Sequence, residues 1–153
     1  MTTFAKLNLK DQTDIVIVNA PASFEPEVAS LRGVTVRRAL SEAKQVAFSL
    51  AFVTKQKEVD TIAKAIGRKA EGDAIVWLAY PKGSSKKYTC EFNRDTGWAA
   101  MGAAGFEPVR MVAIDEDWSA VRFRRAEFIK TMTRPEEYRL SAHAKARPKP
   151  HQT

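Results

Sequence analysis

The residues of this chain best suited to chemistry sit in one loop, Lys82-Gly83-Ser84-Ser85-Lys86-Lys87. Three ammonium groups and two hydroxyls surround a glycine that lets backbone amides converge, so the loop reads as an anion nest with phosphate as its natural guest. Arg37 and Arg94 are the further guanidiniums expected to help hold such an anion. A P-loop needs a glycine, four intervening residues and then Gly-Lys-Ser/Thr; that spacing is absent, and nucleotide hydrolysis is not indicated. The same residues also read as a solvated lysine turn between a strand and a helix, and both readings stand. Trp77, Tyr80, Tyr88 and Trp98 flank the loop in sequence, as stacking aromatics do on a single-stranded nucleic-acid surface. Trp77 falls inside an apolar strand and Trp98 follows a helix cap, however, and both are expected to pack.

Other chemistry is sparse. Asp115, Glu116 and Asp117 cluster as paired carboxylates do, but a tight turn selects acids for its own hydrogen bonds, and that is their expected role. Asp95 is expected to cap a helix. Cys90 has no histidine near it in sequence, His143 and His151 fall near the C-terminus, and no spacing suits a metal. No catalytic residue, metal site or cofactor is therefore expected.

The segments around these residues must position them. Asp14-Ile15-Val16-Ile17-Val18 is a continuous β-branched run between polar flanks, the profile of a parallel strand buried on both faces. Residues 34–36, 46–53 and 74–80 read as the second, third and fourth strands, the last one emptying into the lysine loop. Residues 25–31 leave room for a short helix, and 39–45 for a helical turn or two. Val59, Ile62, Ala63, Ile66 and Ala70 recur at three- and four-residue spacing, which predicts an amphipathic helix over 55–70 ended by Glu71-Gly72-Asp73. Asn93-Arg94-Asp95-Thr96 can cap a helix over 97–104 closed by Gly105. Residues 109–114 and 119–124 flank an acidic turn and predict an antiparallel hairpin at or near a sheet edge. Arg122 and Arg124 share one face there, and protection of an edge strand is their expected purpose.

The 153 residues fit one domain of about 1–134, with 126–132 helical and a basic helical or disordered tail over 135–153. The net charge is +7, and the tail from Arg139 onward holds four basic side chains and no acid. No apolar run approaches the ~20 residues of a membrane helix. The first six residues lack a secretory signal and a lone cysteine cannot form an internal disulfide, so a cytoplasmic protein is expected.

Strands alternating with helices require a mainly parallel sheet with right-handed crossovers, a Rossmann-like α/β domain. The layout resembles the class I methyltransferase sheet with one strand and its helix missing. The resemblance implies the strand order 2-1-3-4-6-5, the sixth strand antiparallel, and a lysine loop on the face where ligands sit. The runs 77–88 and 114–125 also look like an uncharacterised bacterial domain family, a likeness that implies no activity.

Methyltransferases resemble dinucleotide binders in needing glycines after the first strand and an acid after the second for the ribose. Here those places hold Asn19-Ala20-Pro21-Ala22-Ser23-Phe24 and Arg37-Arg38. Pro21 and Phe24 are expected to fill the cofactor's space, and guanidiniums offer a ribose no acceptor, though they suit the 2′-phosphate of NADP. The expectation is a non-catalytic binding or accessory protein with a degenerate cofactor site, recognising an anionic, phosphate-bearing partner such as nucleic acid. The alternative is a divergent methyltransferase-like or nucleotide-binding enzyme.

Overall fold

The computed structural model describes residues 3–90, 92 and 97–129. Its β-branched and apolar runs form β1 (Asp14–Val18), β2 (Thr35–Arg37), β3 (Val46–Phe52) and β4 (Ala70–Pro81), which pair in parallel. The hairpin of β5 (Phe106–Ala113) and β6 (Trp118–Arg125) completes a six-stranded sheet in the order β2-β1-β3-β4-β6-β5, with β6 antiparallel to β4. The expected order and the antiparallel strand are both present.

Continuous apolar strands demand cover on both faces, because side chains alternate along a strand. On one face Val16, Val76 and Leu78 pack under α3 (Gln56–Lys69), through its buried Val59, Ile62, Ala63 and Ile66, and under Met101 of α4 (Ala99–Ala103). On the other, Ile15, Ile17, Leu50 and Trp77 meet Phe4 of α1 (Thr3–Lys6) and Val28 of α2 (Glu25–Ala29). Trp77 is fully buried and its indole N–H donates to the Leu7 carbonyl at 2.8 Å, which ties the N-terminal segment to the middle of the sheet. Trp98 is also in the core, so both tryptophans are packing residues.

Three features depart from the sequence expectation. Glu71-Gly72-Asp73 does not separate helix from strand: β4 begins at Ala70, and these residues bulge out of the ladder between the pairs Val46–Ala70 and Phe48–Ile75. Gly72 makes this possible with a φ of 55°. The first hairpin strand starts at Phe106 and carries Pro108, which is tolerated because β5 is an edge. Finally, β6 lies between β4 and β5. Arg122 and Arg124 are therefore on an interior strand, and their expected role in protecting an edge is corrected.

Candidate functional site

Parallel pairing brings the carboxyl ends of β1, β2, β3 and β4 to one edge of the sheet. After β1 the chain turns at Asn19, whose φ of 57° is the left-handed conformation that asparagine tolerates and most side chains do not. Asparagine thus supplies the turn that glycine was expected to supply. The following 3-10 turn, Ala22–Phe24, points the Phe24 ring to the α1/α2 face, where it lies 5.6 Å from Phe4 and 5.0 Å from Phe52. Phe24 therefore does not fill the space beside β1.

That space is open. A cleft of about 440 Å³ lies on the α3 face, between the ends of β1 and β2 and the first turns of α3. Val18, Leu40 and Ile62 give it an apolar floor, and Asn19, Ser41, Lys57, Glu58 and Thr61 give it polar groups. Glu58 is the third residue of α3 and reaches back over the helix start. Its Oε1 accepts from the Thr54 amide at 2.9 Å, the Lys55 amide at 3.1 Å and the Thr54 hydroxyl at 3.3 Å. Among the described residues its Oε2 accepts only a long bond of 3.5 Å from the Asn19 side-chain amide. A carboxylate here is favoured by the helix dipole, and it opposes any second anion at the same place.

Neither arginine at the end of β2, Arg37 nor Arg38, presents a free guanidinium. Arg37 grips Asp14 through Nε at 2.7 Å and Nη2 at 2.8 Å, and those bonds hold the Asp14 carboxyl below the usual carboxylate range. Arg38 grips Glu25 through both Nη atoms, at 2.9 and 2.8 Å.

The lysine loop leaves the end of β4 and folds against the hairpin turn. The Lys82 amide donates to the Asp117 carbonyl at 2.8 Å, and the Ser85 hydroxyl donates to Asp117 Oδ1 at 2.9 Å while accepting from the Tyr88 amide at 3.1 Å. The Ser85 amide is taken by the Lys82 carbonyl at 3.0 Å, so the Lys82, Ser85 and Tyr88 amides are already used by the loop and the hairpin turn. Gly83, Ser84, Lys86 and Lys87 are exposed, and Lys82 is half-buried. Asp115 Oδ1 accepts from the amides of Asp117 and Trp118, both at 2.8 Å, the turn role expected of it. Arg37 stands three strands away from β4, ~14 Å at ~4.8 Å per strand, and is not brought to the loop. Arg94 and Asp95 lie outside the described residues, as do the predicted cap 93–96, the 130–132 end of the predicted last helix and the tail.

Sequence reasoning missed Glu58 and the turn role of Asn19. The available signals were an asparagine directly after a buried strand and an acid in the first turn of the helix after β3.

No family model matches the chain, and no curated protein matches its sequence, so the expected membership of a bacterial domain family has no support. Solved structures do match. A SAM-dependent methyltransferase from Aquifex aeolicus has a TM-score of 0.54 at 14% identity, over 80% of this chain and 87% of its own. The N-methyltransferase NodS from Bradyrhizobium japonicum has 0.51 at 8% identity, over 79% and 91%. Fibrillarin, a pre-rRNA processing protein of Methanococcus jannaschii, has 0.50 at 10% identity, over 76% and 67%. The fold is that of class I methyltransferases.

At these identities the likeness is one of fold. The expectation of a non-catalytic binding protein with a degenerate cofactor site is corrected on two findings: the fold is shared with solved structures that include a SAM-dependent methyltransferase and an N-methyltransferase, and Phe24, one of the two side chains expected with Pro21 to block the site, faces the other way beside an open cleft. Among the described residues, no group of three or more His, Cys, Asp and Glu side chains could hold a metal ion. Among them too, no helix is long and apolar enough to cross a membrane.

Proposed function

We propose that this chain is a divergent, cytoplasmic methyltransferase-like enzyme that holds S-adenosylmethionine in the cleft beside Asn19. The observation that carries the reading is the pairing of an apolar floor with a single carboxylate, Glu58, whose Oε2 has spare acceptor capacity. An adenosine suits such a floor, and ribose hydroxyls or a cationic sulfonium suit the acceptor. A pyrophosphate suits it less, because the Glu58 carboxylate lines the same cleft and repels a second anion. Arg37 and Arg38 are spent on Asp14 and Glu25, so the two guanidiniums expected to meet the 2′-phosphate of NADP are already paired. Of the two enzyme readings, the methyltransferase-like one is thus favoured over the dinucleotide one.

When bound, such a ligand supplies an electrophilic methyl group. The chain's part is to hold the adenosine with Val18, Leu40 and Ile62, to accept hydrogen bonds through Glu58, and to present the acceptor substrate from the neighbouring strand ends. The lysine loop at the end of β4 is two strands from β1, and we assign Lys82, Lys86 and Lys87 to an anionic acceptor substrate, nucleic acid being the phosphate-rich candidate.

Calorimetric titration of the full chain with S-adenosylmethionine, S-adenosylhomocysteine, NAD and NADP tests the reading. The first two should bind near micromolar, about −8 kcal/mol, and the dinucleotides should not. Absence of binding by both sulfur nucleosides would remove the proposal.

A further inference from the structure

Arg110 of β5 and Arg122 of β6 are direct cross-strand partners, so both side chains leave the same face of the sheet. That face is the one bearing Trp77, which pairs with Arg122 across β4, and it is opposite the cleft. Like charges directly opposed on a ladder repel. Nearby Arg124, on the same face, is neutralised by two bonds to Asp73 of 2.8 and 2.6 Å. Arg122 has no such partner: its Nε is buried without a hydrogen bond, and among the described residues no carboxylate pairs with it. Burial and the charges of Arg124 and Arg110 push the Arg122 guanidinium down from its usual range, against the pull of Asp73. Among the described residues Arg110 has only a 3.4 Å bond from Nη1 to Oδ1 of Asn8.

An interior strand needs no charge to protect an edge, and a buried unsatisfied donor costs ~1–3 kcal/mol. Two opposed guanidiniums with one orphaned donor are a stable arrangement when a tetrahedral oxyanion lies between them, because each guanidinium can present two parallel N–H donors to it. Asn8, held against Arg110, can add its side-chain amide. We propose that Arg110, Arg122 and Asn8 form a phosphate-binding site on this second face of the sheet, separate from the cleft and independent of the methyltransferase reading. The phosphate group is that of a free phosphate ester or of a nucleic-acid backbone.

The test is thermal unfolding and calorimetry of the full chain in inorganic phosphate against chloride at matched ionic strength and pH. The melting temperature should rise with phosphate, as it does for any ligand that binds only the native state. Arg122→Met removes the orphaned donor while keeping the stem, so this variant should melt no lower than wild type in chloride. It should also weaken phosphate binding by about tenfold or more. Lys86→Ala/Lys87→Ala should keep the whole response. In the Lys86→Ala/Lys87→Ala background, which weakens the lysine loop's own attraction, a single-stranded oligonucleotide without terminal phosphates separates the two sources: a response that adding Arg122→Met reduces about tenfold or more assigns the site to a nucleic-acid backbone, and a response to inorganic phosphate alone assigns it to a small ester. If Arg122→Met keeps the wild-type phosphate response, or if wild type shows none, the site does not exist.

Discussion

Glu58 has two jobs at the cleft, and they can be separated. One oxygen satisfies the amides of Thr54 and Lys55 before α3, and the other is turned towards Asn19 and the cleft. Glutamine serves as well as glutamate in the reach-back at a helix start. Glu58→Gln should therefore unfold within ~0.5 kcal/mol of wild type and yet bind S-adenosylmethionine at least about tenfold more weakly, as the loss of one charged hydrogen bond implies. Glu58→Ala should lose the affinity together with ~1 kcal/mol of stability. Equal affinity in wild type and the glutamine variant would reduce Glu58 to a helix cap. The Arg124–Asp73 ion pair gives a pH dependence whose sign is fixed by direction. Asp73 is held below its ordinary carboxylate value by hydrogen bonds and charge from Arg124. Its contribution is thus complete above the unfolded value of ~3.9 and is lost as pH falls from about 4 through the lower folded value. Both partners are about one-third exposed, so the contribution is only ~0.5–1 kcal/mol after screening. Acid unfolding of Asp73→Asn compared with wild type between pH 5 and 2 should show that fraction missing.

At the scale of elements, α3 and α4 stand over the same face and are joined at their starts. The Gln56 side-chain amide of α3 donates to the Gly97 carbonyl before α4 at 2.9 Å. Gly97 has a φ of 87°, and a Cβ placed there would lie 2.7 Å from Cγ of the buried Phe92. Gly97→Ala meets strain and overlap together, and should cost roughly 2–3 kcal/mol in denaturant unfolding. A cost under ~0.5 kcal/mol would mean that this turn does not hold α4 in place. The amphipathic α3 was legible because its four buried residues repeat with the helical period over fourteen residues. The four-residue α1 was not, since Thr3–Lys6 is too short for any period to show, and its anchor is a bond from Trp77, seventy residues on. The start of β4 was hidden because Gly72 looks like a helix stop locally and becomes a bulge only once β3 lies alongside. The interior position of β6 follows from the strand order, which was legible; the purpose of Arg122 and Arg124 was misread because hairpin strands are more often edges.

For the whole molecule, the continuous β-branched runs were enough to read the sheet, since only a doubly covered parallel sheet buries them. The cleft was illegible for a related reason. Its character depends on which way Phe24 turns after Asn19 and on a glutamate from a helix that follows a different strand, and neither is a local property of the turn after β1 from which the site was read as degenerate. The charge of +7 adds a last consequence. If the lysine loop receives a phosphate-rich acceptor, binding releases counterions, and affinity for single-stranded RNA or DNA should fall steeply with salt. Lys86 and Lys87 are exposed and outside the loop's own hydrogen bonds, so replacing both by alanine should leave the fold and the S-adenosylmethionine affinity unchanged. The slope of log affinity against log salt should flatten by roughly one to two units. An unchanged slope would leave the loop a solvated turn against Asp117, and would place the electrostatic attraction in other basic groups of the chain.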